Sequence, residues 1–444
     1  MHGFRCVLAV AMLVLPSACV SQLTAHSRVT VEVTDSFGHP LANAPVLVND
    51  AAGRVAALLH TGADGKVIAR VPKEGVISAH AASGLSFESV AIVAPPDGAT
   101  ATLTLNAADP PVAPPPARTL YDLVTSQLPT DTNFLMVYSC GKAARVNHSS
   151  GTPGPDSWRA SNDRCWTNPT NSFLAIAYQN AQQPGDVTRP LAWGVAVDQA
   201  TKPSGSVTIP LALAHSDSTA FDPPLAASIT AIPEGATAAS VELDPRLAAQ
   251  SPPVYSLSQS SAPQMPGQFA SFTMPATPAG AFSSYRVIED VSFTGTKTES
   301  HISRQRDYTK LPTSSTFAAN ALALVAVAPV SAANATRPQV TWSASSGARG
   351  DYAKVQVRWM EGTAVHAFTA YLPPDAATTF GVPEMPAELR SFAPAPASAI
   401  TNVAVDYLDE ETATGYATSS LFHPVAARDG LGFVVSGGSN QTSP

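Results

Sequence analysis

The chain has 444 residues, 45% of them hydrophobic and only 13% charged, with a formal net charge of −8. That length holds about three or four domains of ordinary size, and the apolar share excludes a wholly disordered chain. The acidic balance offers no basic surface, so nucleic acid is not expected as a partner.

Residues 1–18 read as an export signal. Arg5 precedes an unbroken apolar run, Cys6–Leu15, which ends in Pro16-Ser17-Ala18-Cys19. A charged start, an apolar centre and small residues at the exit form the pattern of a secretory signal. The segment resembles the signal peptide of bacterial lipoproteins. The resemblance implies that Cys19 is lipidated, becomes the mature N-terminus and anchors the chain to a lipid bilayer. Pro16 stands where such signals usually carry Leu. Val20 is not the aspartate that favours inner-membrane retention, so the outer membrane is the implied destination, on its periplasmic or cell-surface face. The alternative is cleavage near Ala18 and a soluble periplasmic or secreted protein. The cysteine count fits the anchor: of 4 Cys, Cys6 leaves with the signal and Cys19 takes the lipid. Cys140 and Cys165 then remain as an even pair, expected to form a disulfide in an oxidising compartment. No later apolar run approaches about 20 residues, so no membrane-spanning helix is expected.

The 40 Pro are spread along the chain. Proline at that density forbids long helices and suits turns and strand edges, so the predicted class is all-β, with several sandwiches in tandem. The first unit covers residues 27–107. Val29–Val33 alternates apolar and polar residues, the mark of a half-buried strand. Further strands are predicted at Ala44–Val48, Val67–Val71, Val76–His80, Phe87–Val93 and Ala101–Leu105, separated by turn signals at Asp35–Leu41 and Thr61–Lys66. Asp35-x-x-Gly38-x-Pro40-Leu41-x-Asn43-Ala44-x-Val46, then Thr61-x-x-Asp64-Gly65, resembles the carboxypeptidase regulatory-like domain and, almost equally, the bacterial Ig-like domains of surface adhesins. Both are non-catalytic sandwiches, so the resemblance implies a role in folding, spacing or binding.

Residues 108–118 contain Asp109–Pro116, a proline-rich stretch expected to act as a semi-rigid spacer. A second unit is predicted over residues 119–216, with a helical turn at Leu120–Val124 and strands at Phe134–Tyr138, Phe173–Tyr178, Leu191–Val197 and Val207–Ala212. A third covers 223–306, with strands at Ala226–Ile232, Ala238–Leu243, Val254–Leu257, Phe269–Met274, Tyr285–Phe293 and Thr298–Arg304. A fourth covers 317–425, with strands at Val340–Ala344, Tyr352–Trp359, Phe380–Pro386 and Ile400–Tyr407. Trp342 on one early strand and aromatics on the next resemble the fibronectin type III arrangement. Residues 426–444 end in a Gly-, Ser- and Asn-rich run, expected to be a frayed tail.

Few constellations carry chemistry. The segment between Cys140 and Cys165 holds Arg145, His148, Asp156, Trp158, Arg159, Asn162 and Asp163. An amphipathic Trp beside hydrogen-bonding groups suits a glycan or a protein surface, so Trp158, Arg159, Asn162 and Asp163 are the candidate binding residues. The competing reading is a solvated loop whose tryptophans tuck onto the sandwich. The cysteines lack the C-x-x-C spacing that activates a thiol, which favours a structural staple over a redox pair. The 10 His fall in no zinc-ligand spacing, so neither metal nor cofactor is expected. No nucleophile elbow or phosphate loop occurs. The acidic run Asp406, Asp409, Glu410 and Glu411 lacks a calcium-loop spacing and reads as a solvated hairpin. Arg349-Gly350-Asp351 spells the tripeptide of integrin-binding loops and is read as coincidence. The expected function is structural, adhesive or glycan/protein-binding, and the rival is an exported hydrolase with its site in residues 119–306.

Overall fold

The computed structural model describes residues 26–35, 38–106, 119–139, 142–147, 157–161, 170–179, 189–200, 205–217, 219–247, 256–264, 268–294, 298–330, 337–375, 378–396, 398–422 and 432–441. They form four units of seven strands each. The first unit holds β1 (His26–Thr34), β2 (Pro45–Asn49), β3 (Val55–His60), β4 (Lys66–Pro72), β5 (Val76–Ser83), β6 (Ser86–Val93) and β7 (Thr100–Thr104). The second holds β8 (Thr119–Ser126), β9 (Phe134–Ser139), β10 (Lys142–Asn147), β11 (Ser157–Ser161), β12 (Thr170–Gln179), β13 (Arg189–Ala200) and β14 (Gly205–Ala212). The third holds β15 (Ala226–Thr230), β16 (Ala238–Arg246), β17 (Leu257–Ser261), β18 (Ala270–Thr273), β19 (Ser284–Thr294), β20 (Thr298–Tyr308) and β21 (Ser314–Ala318). The fourth holds β22 (Val325–Val327), β23 (Gln339–Ala344), β24 (Tyr352–Glu361), β25 (Ala364–Leu372), β26 (Thr379–Gly381), β27 (Ala399–Glu410) and β28 (Gly432–Gln441).

Period-two patterning builds each core. In β1, Val29, Val31 and Val33 are fully buried while Thr30 and Glu32 between them are half-exposed. The alternation puts three valines on one face, as a pleated strand must. They pack with Val46, Val48, Ile77, Ile92 and Leu103 in the first core. Leu123, Val137, Phe173, Ile209 and Leu211 fill the second core in the same way. In the fourth unit Trp342 Nε1 donates to Tyr407 Oη at 3.0 Å, across the two sheets and within the core. That bond satisfies the indole N–H where an orphan donor would cost about 1–3 kcal/mol.

The first three units share one topology. The small sheets are β4-β1-β7, β11-β8-β14 and β18-β15-β21, and in each the first strand runs parallel to the seventh. The chain therefore zips its entry to its exit in every unit. The fourth differs: β22-β23-β26 form its small sheet, and β25-β24-β27-β28 its large one.

Three of the four large sheets are one sheet. Twelve strands run β17-β16-β19-β20-β28-β27-β24-β25-β6-β5-β2-β3. The third unit joins the fourth by antiparallel pairing of β20 with β28, and the fourth joins the first by parallel pairing of β25 with β6. Fusing edges leaves no unpaired ladder at either seam, which removes four exposed strand edges.

Several expectations need correction. Leu120–Val124 lies within strand β8, not in a helical turn. Its apolar spacing matches a helix face, but pairing to β11 and β14 decides the conformation. The segment read as a frayed tail supplies β28, an interior strand with nine paired residues on each side. Strand β21 pairs with β15, which carries the third unit to Ala318. Strand β17 begins at Leu257, where the strand expected at Val254–Leu257 ends. Strands β3, β10, β11, β22 and β25 fall where no strand was expected.

Candidate functional site

Of the residues singled out from the sequence, Cys19, Cys140, Cys165, Asn162 and Asp163 lie outside the described residues. Trp158 and Arg159 sit on β11, paired to Leu123 and Asp122 of β8. The segment between the two cysteines is thus more than a loop. It contains β10 on the large sheet of the second unit and β11 on the edge of the small one. Arg145 on β10 lies 4.0 Å over the ring of Phe134, which stacks on Tyr178 at 5.2 Å. An open cavity of 750 Å³ lies where the second unit meets the third, lined in part by Gln127, Arg189, Ser216, Asp217 and Phe221. Hydrogen bonds from Thr219 hold the Asp217 carboxyl below its ordinary pKa.

The acidic run is tied into the fold rather than displayed. Tyr352 Oη donates to Glu410 at 2.8 Å, and Arg306 pairs with Glu411. Asp351 is buried and accepts from the backbone N–H of Glu410 at 2.8 Å and of Gly415 at 2.6 Å. Gly350 adopts φ +67° with its Cα against Leu408: a Cβ would stand 2.3 Å from the Leu408 carbonyl oxygen. Arg349-Gly350-Asp351 is therefore a turn-and-cap device, with its aspartate turned inward.

A polar row crosses the seam between the third and fourth units. His301 on β20 is paired with Gly437 on β28, Gly437 with Asp406 on β27, and Asp406 with Lys354 on β24. Gly437 leaves the space in which the flanking side chains meet. A Cβ there would lie 2.3 Å from Asp406 Oδ1 and 2.5 Å from His301 Cε1. Burial raises the Asp406 pKa, while Lys354, 3.7 Å away, and His301 pull it back. The same β20 carries Arg304, locked in the third core. Its guanidinium donates to both Glu289 oxygens at 2.7 and 2.8 Å and to Ser315 at 2.8 Å.

Histidines mark the seam between the fourth and first units. His80 on β5 is buried, with Nε2 3.0 Å from Ser78 Oγ and Nδ1 2.8 Å from Ser89 Oγ. Its ring lies 5.2 Å from Phe392, in a 3-10 helix over Ala387–Phe392. Burial lowers its pKa to about 3. His366 on β25 is 2% exposed. It is stacked between Phe87 of β6, at 4.5 Å and 10°, and Trp359 of β24, at 5.1 Å and 13°. Neither ring nitrogen has a hydrogen-bond partner. Glu361 Oε2 stands 3.9 Å from Nε2, beyond hydrogen-bond reach. The ring lines a cavity of 410 Å³, together with Phe87, Glu361, Arg390 and Ser391. Sequence reasoning passed over His366 because it looked only for ligand spacings. The usable signal was its phase: His366, Phe368, Ala370 and Leu372 share one face, and a histidine on an apolar face is buried.

Among the described residues, no helix is long and apolar enough to cross a membrane, and no group of three or more His, Cys, Asp or Glu is placed to hold a metal ion.

No family model matches the chain, and no curated protein does. Among solved structures, the TIE protein of Bacillus anthracis aligns at 11% identity and a TM-score of 0.15, over 66% of this chain and 49% of that one, so the chain spans about half its length. A Ca²⁺-stabilized adhesin that helps an Antarctic bacterium bind ice aligns at 10% identity and a TM-score of 0.15, over 94% of this chain and 99% of that one. A leucine-rich repeat protein from Bacteroides thetaiotaomicron aligns at 11% identity and 0.17, over 45% and 25%. At these scores the likenesses carry no functional argument.

Proposed function

We propose that this chain is an envelope-anchored, non-catalytic β-sandwich lipoprotein with a structural, adhesive or glycan/protein-binding role. Lipid on Cys19 holds it to the outer membrane, and a disulfide links Cys140 to Cys165. The observation that carries the reading is the twelve-stranded sheet. A sheet shared by three units resists hinge motion at their seams and suits a scaffold that presents a surface at a fixed offset from a membrane. The acidic run and the Arg304–Glu289 pair fit the same picture, since their charges are spent inside the fold. The fourth unit's strand order supports its likeness to fibronectin type III modules: first, second and fifth strands on one sheet, the remaining four on the other. On this reading the binding surface is the Cys140–Cys165 segment around Trp158, Arg159, Asn162 and Asp163, since an indole beside hydrogen-bonding groups suits a sugar face or an apolar patch.

Cell fractionation and mass spectrometry of the wild type and Cys19→Ala test the anchor. The wild type is expected in the membrane fraction with a lipid mass on its N-terminus, and Cys19→Ala in the soluble fraction. A soluble, unlipidated wild type sinks the anchor. Binding to isolated envelope polysaccharide tests the surface. Trp158→Ala should weaken it far more than Glu411→Ala, and equal binding by a folded Trp158→Ala protein removes the role of that segment. The hydrolase alternative draws on the open cavity beside Arg189 and Asp217. Turnover of a glycan or peptide that is lost in Arg189→Ala or Asp217→Ala would replace the scaffold reading.

A further inference from the structure

The seam between the first and fourth units holds a cavity, separate from the Trp158 segment and independent of whether that segment binds anything. A phenylalanine at position 366 would complete the stack between Phe87 and Trp359 without stranding polar atoms. Histidine there leaves two ring nitrogens unanswered beside a cavity, and an unsatisfied buried polar group asks for an occupant that satisfies it. Arg390 on the cavity wall is exposed and forms no ion pair with a described residue.

We propose that this cavity binds a small anion bearing a carboxylate, recognised by His366 and Arg390. The donor and acceptor inventory selects the class. The guanidinium of Arg390 offers up to five N–H donors, Ser391 a hydroxyl and a neutral imidazole one N–H. The wall's one carboxylate, Glu361, is half-exposed and lies 3.9 Å from the ring. Donors outnumber acceptors, so the complementary ligand is rich in acceptors, and Arg390 suits a planar carboxylate bidentately. The volume, 410 Å³, is that of a small-molecule pocket. Phe87 and the alanines Ala364, Ala393 and Ala395 on the wall meet the ligand's carbon skeleton. Phe87 comes from β6 and Arg390 from the fourth unit, so the site exists only where the two units are joined.

Sodium glucuronate, sodium propionate and glucose, titrated into the full chain at constant ionic strength, test this. Tryptophan fluorescence reports on Trp359 behind the ring, and calorimetry gives affinities. Glucuronate should bind saturably and glucose should not. Arg390→Gln should raise Kd at least tenfold, and His366→Phe, which keeps the stack, should abolish binding. Propionate binding as tightly as glucuronate points to a free organic acid. Binding of glucuronate alone points to an acidic sugar. Either result supports the carboxylate site. Absence of saturable binding by both carboxylates overturns it and leaves water as the occupant. So does an unchanged Kd in Arg390→Gln, a surface variant that keeps the test open should His366→Phe fail to fold.

Discussion

Acid should loosen the first unit from the fourth, and His80 sets the size of the effect. The side chain is neutral and buried, held between Ser78 and Ser89 beneath Phe392. Its pKa is lowered from 6.5 to about 3 by burial. The folded state therefore binds fewer protons than the unfolded state once the pH falls below 6.5. The stability His80 permits is fully present above that value. It is lost progressively down to about pH 3, where the folded protein also protonates. Two units of pH below 6.5, the unfolded chain gains about 3 kcal/mol from this one residue. Urea unfolding between pH 7 and 4.5, read by tryptophan fluorescence, measures it. The control is the triple variant His80→Phe, Ser78→Ala, Ser89→Ala, which fills the volume and removes the hydroxyls that depend on the ring. Wild type should lose about 3 kcal/mol more than the triple variant over that range. Parallel pH profiles would refute the assignment of a neutral, desolvated His80.

Three further outcomes follow from specific contacts. Glu289→Ala strands Arg304 in the core of the third unit and should cost about 3–5 kcal/mol in urea unfolding, whereas replacing both residues by Met should come near to neutral; equal losses in the two variants would show that packing, not the stranded charge, sets the cost. Deleting residues 432–441 removes the strand between β20 and β27 and should turn one cooperative transition of the third and fourth units into two, with self-association through the opened edges; a calorimetric trace unchanged from wild type would contradict the shared sheet. Alkylation of the unfolded, unreduced mature protein should label neither Cys140 nor Cys165, and loss of either should cost about 3 kcal/mol in the second unit for a closed loop of about 24 residues; labelling of both would exclude the bridge.

How much of this was legible in the sequence depends on the range of the interaction. Strand identity is local. Val29–Val33 and Tyr352–Trp359 alternate cleanly, because one face of each meets a core, and the expected strands fall there. β8 misled because Leu120, Leu123 and Val124 also satisfy a helical spacing, and only pairing with a strand more than eighty residues later resolves it. β28 misled for a different reason. Glycines usually signal disorder at a chain end, yet Gly437 and Gly438 are close-approach positions. A Cβ on Gly438 would lie 2.5 Å from the Val325 carbonyl oxygen. Composition cannot separate a glycine that frees the backbone from one that lets another group come near. The fused sheet was not legible at all, since an edge strand and an interior strand with the same alternation read alike.

The two seams are closed by different chemistry, and the difference locates the more labile one. Between the third and fourth units the pairing is antiparallel, and Gly437 leaves room over the strand for the side chains of His301 and Asp406. Between the fourth and first the pairing is parallel, the slightly weaker geometry per residue. Added contacts reinforce it: Tyr416 Oη donates to the Val93 carbonyl at 2.6 Å, and Asn49 Nδ2 to the Glu384 carbonyl at 3.0 Å. Both neutral histidines, His80 and His366, lie at this second seam, and burial lowers both pKa values. Acid therefore weakens the parallel seam, because the unfolded chain protonates these two histidines before the folded one does, and an anion seated beside His366 would act on the same equilibrium in the opposite sense. Carboxylate added at low pH should then recover part of the stability lost through that seam in wild type and none of it in Arg390→Gln. That linkage joins the parallel seam between the fourth and first units to the one stranded imidazole among the described residues.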